Sequence, residues 1–317
     1  MSLLSLEGRV AVVTGAGRGI GRAHALLLAA RGAKVVVNDL GVDVDGTGPS
    51  SGPAEEVVEE IRQAGGTAVA SADTVATEEG ASAIVDRGLR QFGRVDAIIH
   101  NAGLNLGVLD DILDIHVRGA WWLVERAWPG MVERGHGRIV LTTSSSGLFG
   151  DGTGPAENPK QAYATAKTAV IGLTKSLAVR GRSAGITVNA VSPTAHTRLG
   201  GLNRGMASTR AGGPPPEAAL EWMALNAPPE LVAAGTLWLV HDDCPVTGRV
   251  FNVGAGRVAE IFLGVTRGYV APDGALTPEG VMAHLAQVSD PAGHHVPIDT
   301  ADYAQWIRSV VPGRTRA

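Results

Sequence analysis

Short runs of β-branched residues alternate along the chain with longer stretches whose apolar positions recur at helical spacing. "RVAVVT" (9–14) reads as a strand buried on both faces, "GIGRAHALLLAARG" (19–32) as a helix closed by glycine, and "KVVVND" (34–39) as a second strand. After a Gly/Pro-rich loop at 41–53, the pattern predicts a helix near 54–64, a strand near 67–72, a helix near 78–92 and a strand at 94–99. A helix near 110–134, a strand at 137–144, a helix at 161–182 and a strand near 186–191 follow. A Gly/Pro-rich loop (193–216), two helices and a strand near 248–253 complete the alternation. Strands separated by helices at this spacing form βαβ units, so the fold class is α/β, a doubly wound parallel sheet of Rossmann type covered on both faces. The rhythm changes near 257, so residues 1–256 are expected to form one domain. Residues 257–317 would be an extension with two short helices, packed on that domain or on a neighbouring subunit.

Composition narrows the function classes. The 317 residues carry a net charge of −4 and are 44% hydrophobic, enough for a full core. That charge gives no electrostatic reason to expect nucleic acid or an anionic membrane as partner. The single Cys244 excludes an internal disulfide and a cysteine metal cluster. No stretch resembles a signal peptide, and the apolar runs are shorter than a bilayer span, so the expected location is the cytoplasm. "DVDGTG" (43–48) lacks the remaining ligands and flanking helices of a calcium loop, and no metal site is expected.

Candidate chemistry begins at "TGAGRGIG" (14–21), between the first strand and first helix. Glycine there allows positive φ and close backbone approach, and a helix start offers free N–H groups, which together suit a diphosphate. Gly15, Gly19 and Gly21 carry the turn, with Arg18 and Ile20 as further contacts. Asp39, 24 residues after Gly15, ends the second strand where a carboxylate accepts hydrogen bonds from ribose hydroxyls and repels a 2′-phosphate. That favours NAD over NADP, although Arg18 is placed to pair with such a phosphate. Asp73, after the third strand, is a candidate adenine contact. In "QAYATAK" (161–167), one of three tyrosines and one of four lysines stand four apart on a helix. An ammonium one turn from a phenol favours the phenolate, which lets Tyr163 exchange a proton with an alcohol or carbonyl. The run "TTSSSG" (142–147) offers hydroxyls to hold the substrate oxygen.

Together these residues resemble the short-chain dehydrogenase/reductase family across nearly the whole chain. The family's glycine motif matches Gly15, Gly19 and Gly21, its Asn-Ala-Gly motif matches Asn101, Ala102 and Gly103, and its Ser-Tyr-Lys set falls on Ser144, Tyr163 and Lys167. The resemblance implies Tyr163 as acid/base, Lys167 lowering its pKa and binding ribose, and Ser144 orienting the reacting oxygen. Ser144 is chosen over its neighbours because it lies three residues before Gly147. It also implies a carboxamide contact at Thr197, in "VSPTAHT" (191–197). A narrower resemblance, through "VVVNDLG", "VVEEIRQAGG", "IHVRGAWW" and "VFNVGAG", is to the (3R)-hydroxyacyl-CoA dehydrogenase portion of the peroxisomal D-bifunctional enzymes, also called type 4 17β-hydroxysteroid dehydrogenases. It implies NAD and a secondary alcohol of hydroxyacyl-CoA or hydroxysteroid type. The C-terminal "GRTRA" lacks a peroxisomal address. Alternatives are an NADP-dependent 3-oxoacyl reductase and a non-catalytic dinucleotide-binding module.

The chain departs from the family at three places. His116 stands where the family usually has an asparagine supporting a water relay to the lysine. The stretch from "NAG" to His116 is about nine residues short, and that from Ser144 to Tyr163 about six long through "GDGTGPAENPK" (150–160). Both length changes flank the expected pocket and should reshape specificity more than chemistry. The helix after Tyr163 has small and apolar residues on more than one face, so a homodimer or homotetramer is expected.

Overall fold

A computed structural model describes residues 3–42, 48, 50–150, 160–197 and 217–311. Most of loops 43–48, 150–160 and 193–216 therefore lies outside the described residues, as does the C-terminal "GRTRA". Two compact units are present, Met1–Glu260 and Ile261–Ala317.

The first unit is an eight-stranded sheet in the order β3-β2-β1-β4-β5-β6-β7-β8. The strands are β1 (Val10–Thr14), β2 (Lys34–Asn38), β3 (Thr67–Ser71), β4 (Ala97–His100), β5 (Gly137–Thr142), β6 (Ile186–Thr194), β7 (Val250–Gly254) and β8 (Arg257–Ile261). Pairing is parallel from β3 through β7. Alternate residues of β1 serve the two cores. Ala11 and Val13 pack with α1 (Gly19–Ala30) and α2 (Gly52–Gln63), while Val10 and Val12 pack with α3 (Glu78–Phe92), α5 (Gly119–Arg134) and α7 (Gln161–Gly181). All five β1 residues are buried, which is why that stretch reads as a continuous apolar run.

Several boundaries differ from those read in the sequence. β6 continues to Thr194, into the expected loop, because Asn252 on β7 donates to the Ser192 carbonyl and the Thr194 hydroxyl. The sheet also gains β8, past the strand expected to be last. The helix expected at 110–134 is three pieces: α4 (Leu109–Leu113), a π-turn over Asp114–Arg118, and α5. A short α6 (Ser145–Phe149) fills the segment after β5.

The strand order reverses between β1 and β4, which opens a crevice at their carboxyl ends. Thr14 and Gly15 leave β1 there, and His100 and Asn101 leave β4. At the opposite end of the sheet the Arg138 guanidinium donates to the carbonyls of Gly137, Gly185, His241 and Asp242, at 2.6–3.0 Å. Four accepting carbonyls satisfy this buried cation.

Among the described residues the second unit holds helices Pro278–Ala283, Leu285–Val288 and Thr300–Val310, one more than expected. An antiparallel bridge joins Val265 to His295, whose ring stacks on Trp306 at 5.3 Å. Among the described residues no helix is long and apolar enough to cross a membrane, and no group of three His, Cys, Asp or Glu is placed to hold a metal ion.

Candidate active site

The glycine turn is built so that side chains cannot occupy it. A Cβ on Gly15 would lie 2.8 Å from the Ala102 Cα, and one on Gly21 would lie 2.0 Å from the Gly15 carbonyl oxygen. On Gly17 it would meet Pro53 at 2.6 Å and Asp39 at 2.9 Å. Gly15 and Gly19 have φ of +62° and +52°. The start of α1, at Gly19, has no side-chain cap, so its first N–H groups have no partner within the helix or from the capping residue. A backbone-walled cradle at a helix start fits a dinucleotide diphosphate.

Asp39 is tied to this turn. Its Oδ2 accepts from the Gly17 N–H at 2.8 Å and its Oδ1 from the Gly41 N–H at 2.7 Å. A carboxylate has about four acceptor positions, so two remain. Arg18 is exposed and donates to the Val42 carbonyl at 3.2 Å, alongside the same segment. Ile20 is half-buried against the core under α1. Thr197 approaches the turn from β6, its Cγ2 3.7 Å from where a Gly19 Cβ would lie. Asp73 is exposed and accepts from the Ser71 hydroxyl at 2.8 Å, while its carbonyl accepts from the Asn38 amide at 2.8 Å.

The Asn101 amide donates to the Thr14 and Gly15 carbonyls at 3.2 and 3.1 Å, closing the crevice floor. Thr14 Oγ1 accepts from the N–H groups of Asn101 and Ala102, both at 3.1 Å. Gly103 packs on His116, where a Cβ would stand 2.2 Å from the ring.

Tyr163 and Lys167 share one side of α7. The Lys167 Nζ is 5.6 Å from the Tyr163 ring centroid and donates to the Thr142 carbonyl, at the end of β5, at 2.7 Å. Lys167 is buried, and removal from water pulls its pKa down to about 7. The His116 ring meets that of Tyr163 edge-on, with centroids 5.5 Å apart. Its Nε2 donates to the Leu104 carbonyl at 2.9 Å, and its buried Nδ1 has no partner among the described residues. Burial first, then the nearby Lys167 cation, holds the His116 pKa well below its ordinary value.

Ser144 caps α6, its Oγ accepting from the Ser146 N–H at 3.2 Å. Thr143 Oγ1 donates to the Lys167 carbonyl and Thr168 Oγ1 to the Gly147 carbonyl, both at 2.6 Å. A Cβ on Gly147 would sit 2.6 Å from the Lys167 carbonyl carbon. The segment after β5 therefore lies directly on the α7 backbone at Lys167. The requirement for glycine three residues past Ser144 is this close approach.

Thr14, Asn38, His100 and Thr143 escaped the sequence reading. A signal for them existed: each is a polar residue ending, or just past, an otherwise apolar strand, and each is buried and hydrogen-bonded. Buried polar groups at strand ends must be satisfied locally, so they outline the crevice.

Residues 9–199 match the family model described as short chain dehydrogenase. The chain is 38% identical to peroxisomal multifunctional enzyme A of Dictyostelium discoideum, over 97% of this chain and 66% of that protein. It is 38% identical to a putative short-chain type dehydrogenase/reductase of Mycobacterium tuberculosis, over 91% of this chain and 96% of that one. Among solved structures, full-length peroxisomal multifunctional enzyme type 2 from Drosophila melanogaster superimposes with a TM-score of 0.74 at 27% identity, covering 97% of this chain and 50% of that one. Carveol dehydrogenase from Mycobacterium avium in complex with NAD gives a TM-score of 0.65 at 28% identity, over 80% and 99%. The chain spans less than two thirds of the length of the multifunctional relatives.

Proposed function

The chain belongs to the short-chain dehydrogenase/reductase family, and from that premise we propose that it interconverts a secondary alcohol and a ketone with NAD as redox partner. The substrate class is a 3-hydroxyacyl-CoA or a hydroxysteroid-like alcohol. The resemblance to the dehydrogenase portion of bifunctional peroxisomal enzymes supports that class. The observation that carries the reading is the Lys167 Nζ 5.6 Å from the Tyr163 ring, at the carboxyl end of the sheet where the glycine turn opens.

Gly15, Arg18, Gly19, Ile20 and Gly21 would hold the diphosphate end of the dinucleotide. Asp39 would hold the ribose, Asp73 the adenine side, and Asn101, Ala102, Gly103 and Thr197 the nicotinamide half. When bound, NAD supplies a hydride acceptor and NADH a hydride donor. Tyr163 takes the substrate hydroxyl proton in oxidation and returns it in reduction. Ser144 positions the reacting oxygen, and Lys167 favours the phenolate and binds ribose hydroxyls. His116 is a positioning residue beside this pair, its bare Nδ1 an acceptor for a water that serves Lys167. The same reading includes a homodimer or homotetramer, supported by the half-exposed Trp121 on α5 and Val179 on α7.

Turnover of 3-hydroxyacyl-CoA thioesters and hydroxysteroids with NAD and with NADP tests the proposal. Tight NADH binding without turnover in either class would instead favour a binding module.

The Asp39 contacts sharpen the cofactor test. Asp39→Ala removes the acceptor of two backbone N–H groups and loosens the turn, so both NADH and NADPH should bind it more weakly. Asp39→Asn keeps one acceptor and removes the charge, and should shift selectivity toward NADPH by about tenfold, worth about 1.4 kcal/mol. Fluorescence titration with each reduced dinucleotide reads both effects. Tighter binding of NADPH than NADH by the wild type would refute the preference for NAD.

Gly103→Ala tests the placement of His116. A methyl 2.2 Å from the buried ring forces it aside, so turnover should fall at least about tenfold, within the range seen for displaced catalytic geometry. Overpacking costs about 1–3 kcal/mol and lowers the thermal midpoint without preventing folding. Unchanged kcat in that variant would remove His116 from the site.

A further inference from the structure

His100 is a buried histidine that the proposed chemistry does not use, and its hydrogen bonds run in a defined order. Its Nδ1 is 3.0 Å from Thr14 Oγ1 and its Nε2 is 3.1 Å from the Ile115 carbonyl. A carbonyl only accepts, so Nε2 carries the proton and donates. The two lone pairs of the Thr14 hydroxyl are taken by the Asn101 and Ala102 N–H groups, so its proton goes to Nδ1. One tautomer satisfies every atom in this chain, which runs from Asn101–Ala102 through Thr14 and His100 to Ile115. Burial, then the Lys167 cation, pulls the His100 pKa down to about 3, so the neutral ring persists across the physiological range.

The two ends of this chain matter. Asn101 and Ala102 floor the crevice beneath Gly15. Ile115 belongs to the π-turn Asp114–Arg118 and immediately precedes His116. A π-turn inserts one extra residue into the helix and is frequent at functional sites, and here its Ile115 carbonyl also accepts from His100 outside the helix. Resting on the function proposed above, we propose that His100 is a positioning residue that locks the dinucleotide floor to the turn carrying His116. The seat of the dinucleotide and the placement of the group beside Tyr163 are then set by one imidazole.

Two conservative variants cut the chain at different links. In His100→Asn the amide oxygen replaces Nδ1 for the Thr14 hydroxyl, but the side chain is too short for Ile115. In His100→Gln the amide nitrogen reaches Ile115, but the Thr14 link is lost. For His100→Asn we expect NADH Kd within about threefold of wild type and kcat lowered roughly 10- to 100-fold, the scale of a buried carbonyl left unpaired. For His100→Gln we expect NADH Kd weakened by about tenfold, with kcat at saturating dinucleotide changed less than in His100→Asn. Calorimetric Kd values and steady-state kcat, with thermal midpoints as a control for folding, supply the readings. Equal changes of Kd and kcat in both variants, or an unchanged kcat in His100→Asn, would overturn the proposal and leave His100 as core packing. Should His100→Asn not fold, Thr14→Ser should keep the wild-type Kd. Thr14→Val, which also takes the acceptor from the Asn101 and Ala102 N–H groups, should weaken NADH binding at least as much as His100→Gln; the reverse order overturns it as well. Wild-type protein that binds NADH but turns over no alcohol defeats the functional reading instead, and the Kd difference between the variants still tests the first link.

Discussion

Tyr163→Phe should lower turnover about 10³-fold or more, within the range for a lost general acid–base group, and should leave NADH affinity within about threefold. Phenylalanine keeps the ring that meets His116 edge-on and lies 5.6 Å from the Lys167 Nζ. The variant therefore removes the hydroxyl and little of the packing. Stopped-flow measurement of the chemical step beside a direct binding titration separates the two effects. A variant that turned over at the wild-type rate would end the acid–base account of Tyr163.

Lys167→Met has the second large effect, and it is double. Methionine fills a similar volume but cannot donate to the Thr142 carbonyl and offers no cation to the phenol. Turnover should fall by roughly 10²- to 10⁴-fold. The second effect concerns stability. In the free protein burial holds the folded Lys167 pKa at about 7, against 10.5 for an ordinary lysine. Between these values the unfolded chain binds a proton that the folded one does not, so the Lys167 contribution to stability rises with pH across that window. Below about pH 7 both states are protonated, and the full cost of the buried cation is present. Denaturant unfolding at intervals from pH 6.5 to about 10 should show wild type gaining on Lys167→Met as pH rises. A pH-independent difference would mean that Lys167 is not desolvated. The buried lysine and the phenol are best treated as one coupled pair, since each charge favours the other.

The resemblance found at the glycine turn and at Ser144, Tyr163 and Lys167 was legible because those functions depend on residue type at fixed spacing. Gly15 and Gly21 cannot carry a side chain against Ala102 and the Gly15 carbonyl, so the chemistry of the site is written in their identity. The alternating strands were legible for a similar reason: Val10–Val13 of β1 and Val35–Val37 of β2 sit between two covering layers and are apolar, with polar residues only at the strand ends. The π-turn was not legible, because a one-residue change in hydrogen-bond register leaves the apolar spacing of a helix nearly intact. Nor was β8, where Arg257, Val258 and Glu260 are all exposed and no burial pattern marks the strand. Asp39 was legible as a ribose ligand candidate but not as an anchor of Gly17, since that contact joins residues 22 apart through a turn. His100 lay one residue past the strand expected at 94–99; its role appears only when Thr14 and Ile115 are seen on either side of the ring.

The central claim is that the Lys167 cation makes Tyr163 a usable acid–base group. With only Tyr163, Tyr269 and Tyr303 in the chain, the three phenols can be followed singly by NMR of protein carrying ¹³Cζ-tyrosine, titrated with NAD bound. The account predicts one signal, absent in Tyr163→Phe, that ionises below the ordinary phenol value of about 10 and moves up toward it in Lys167→Met. A Tyr163 signal that ionises at or above the ordinary phenol value, unmoved by loss of Lys167, would contradict it.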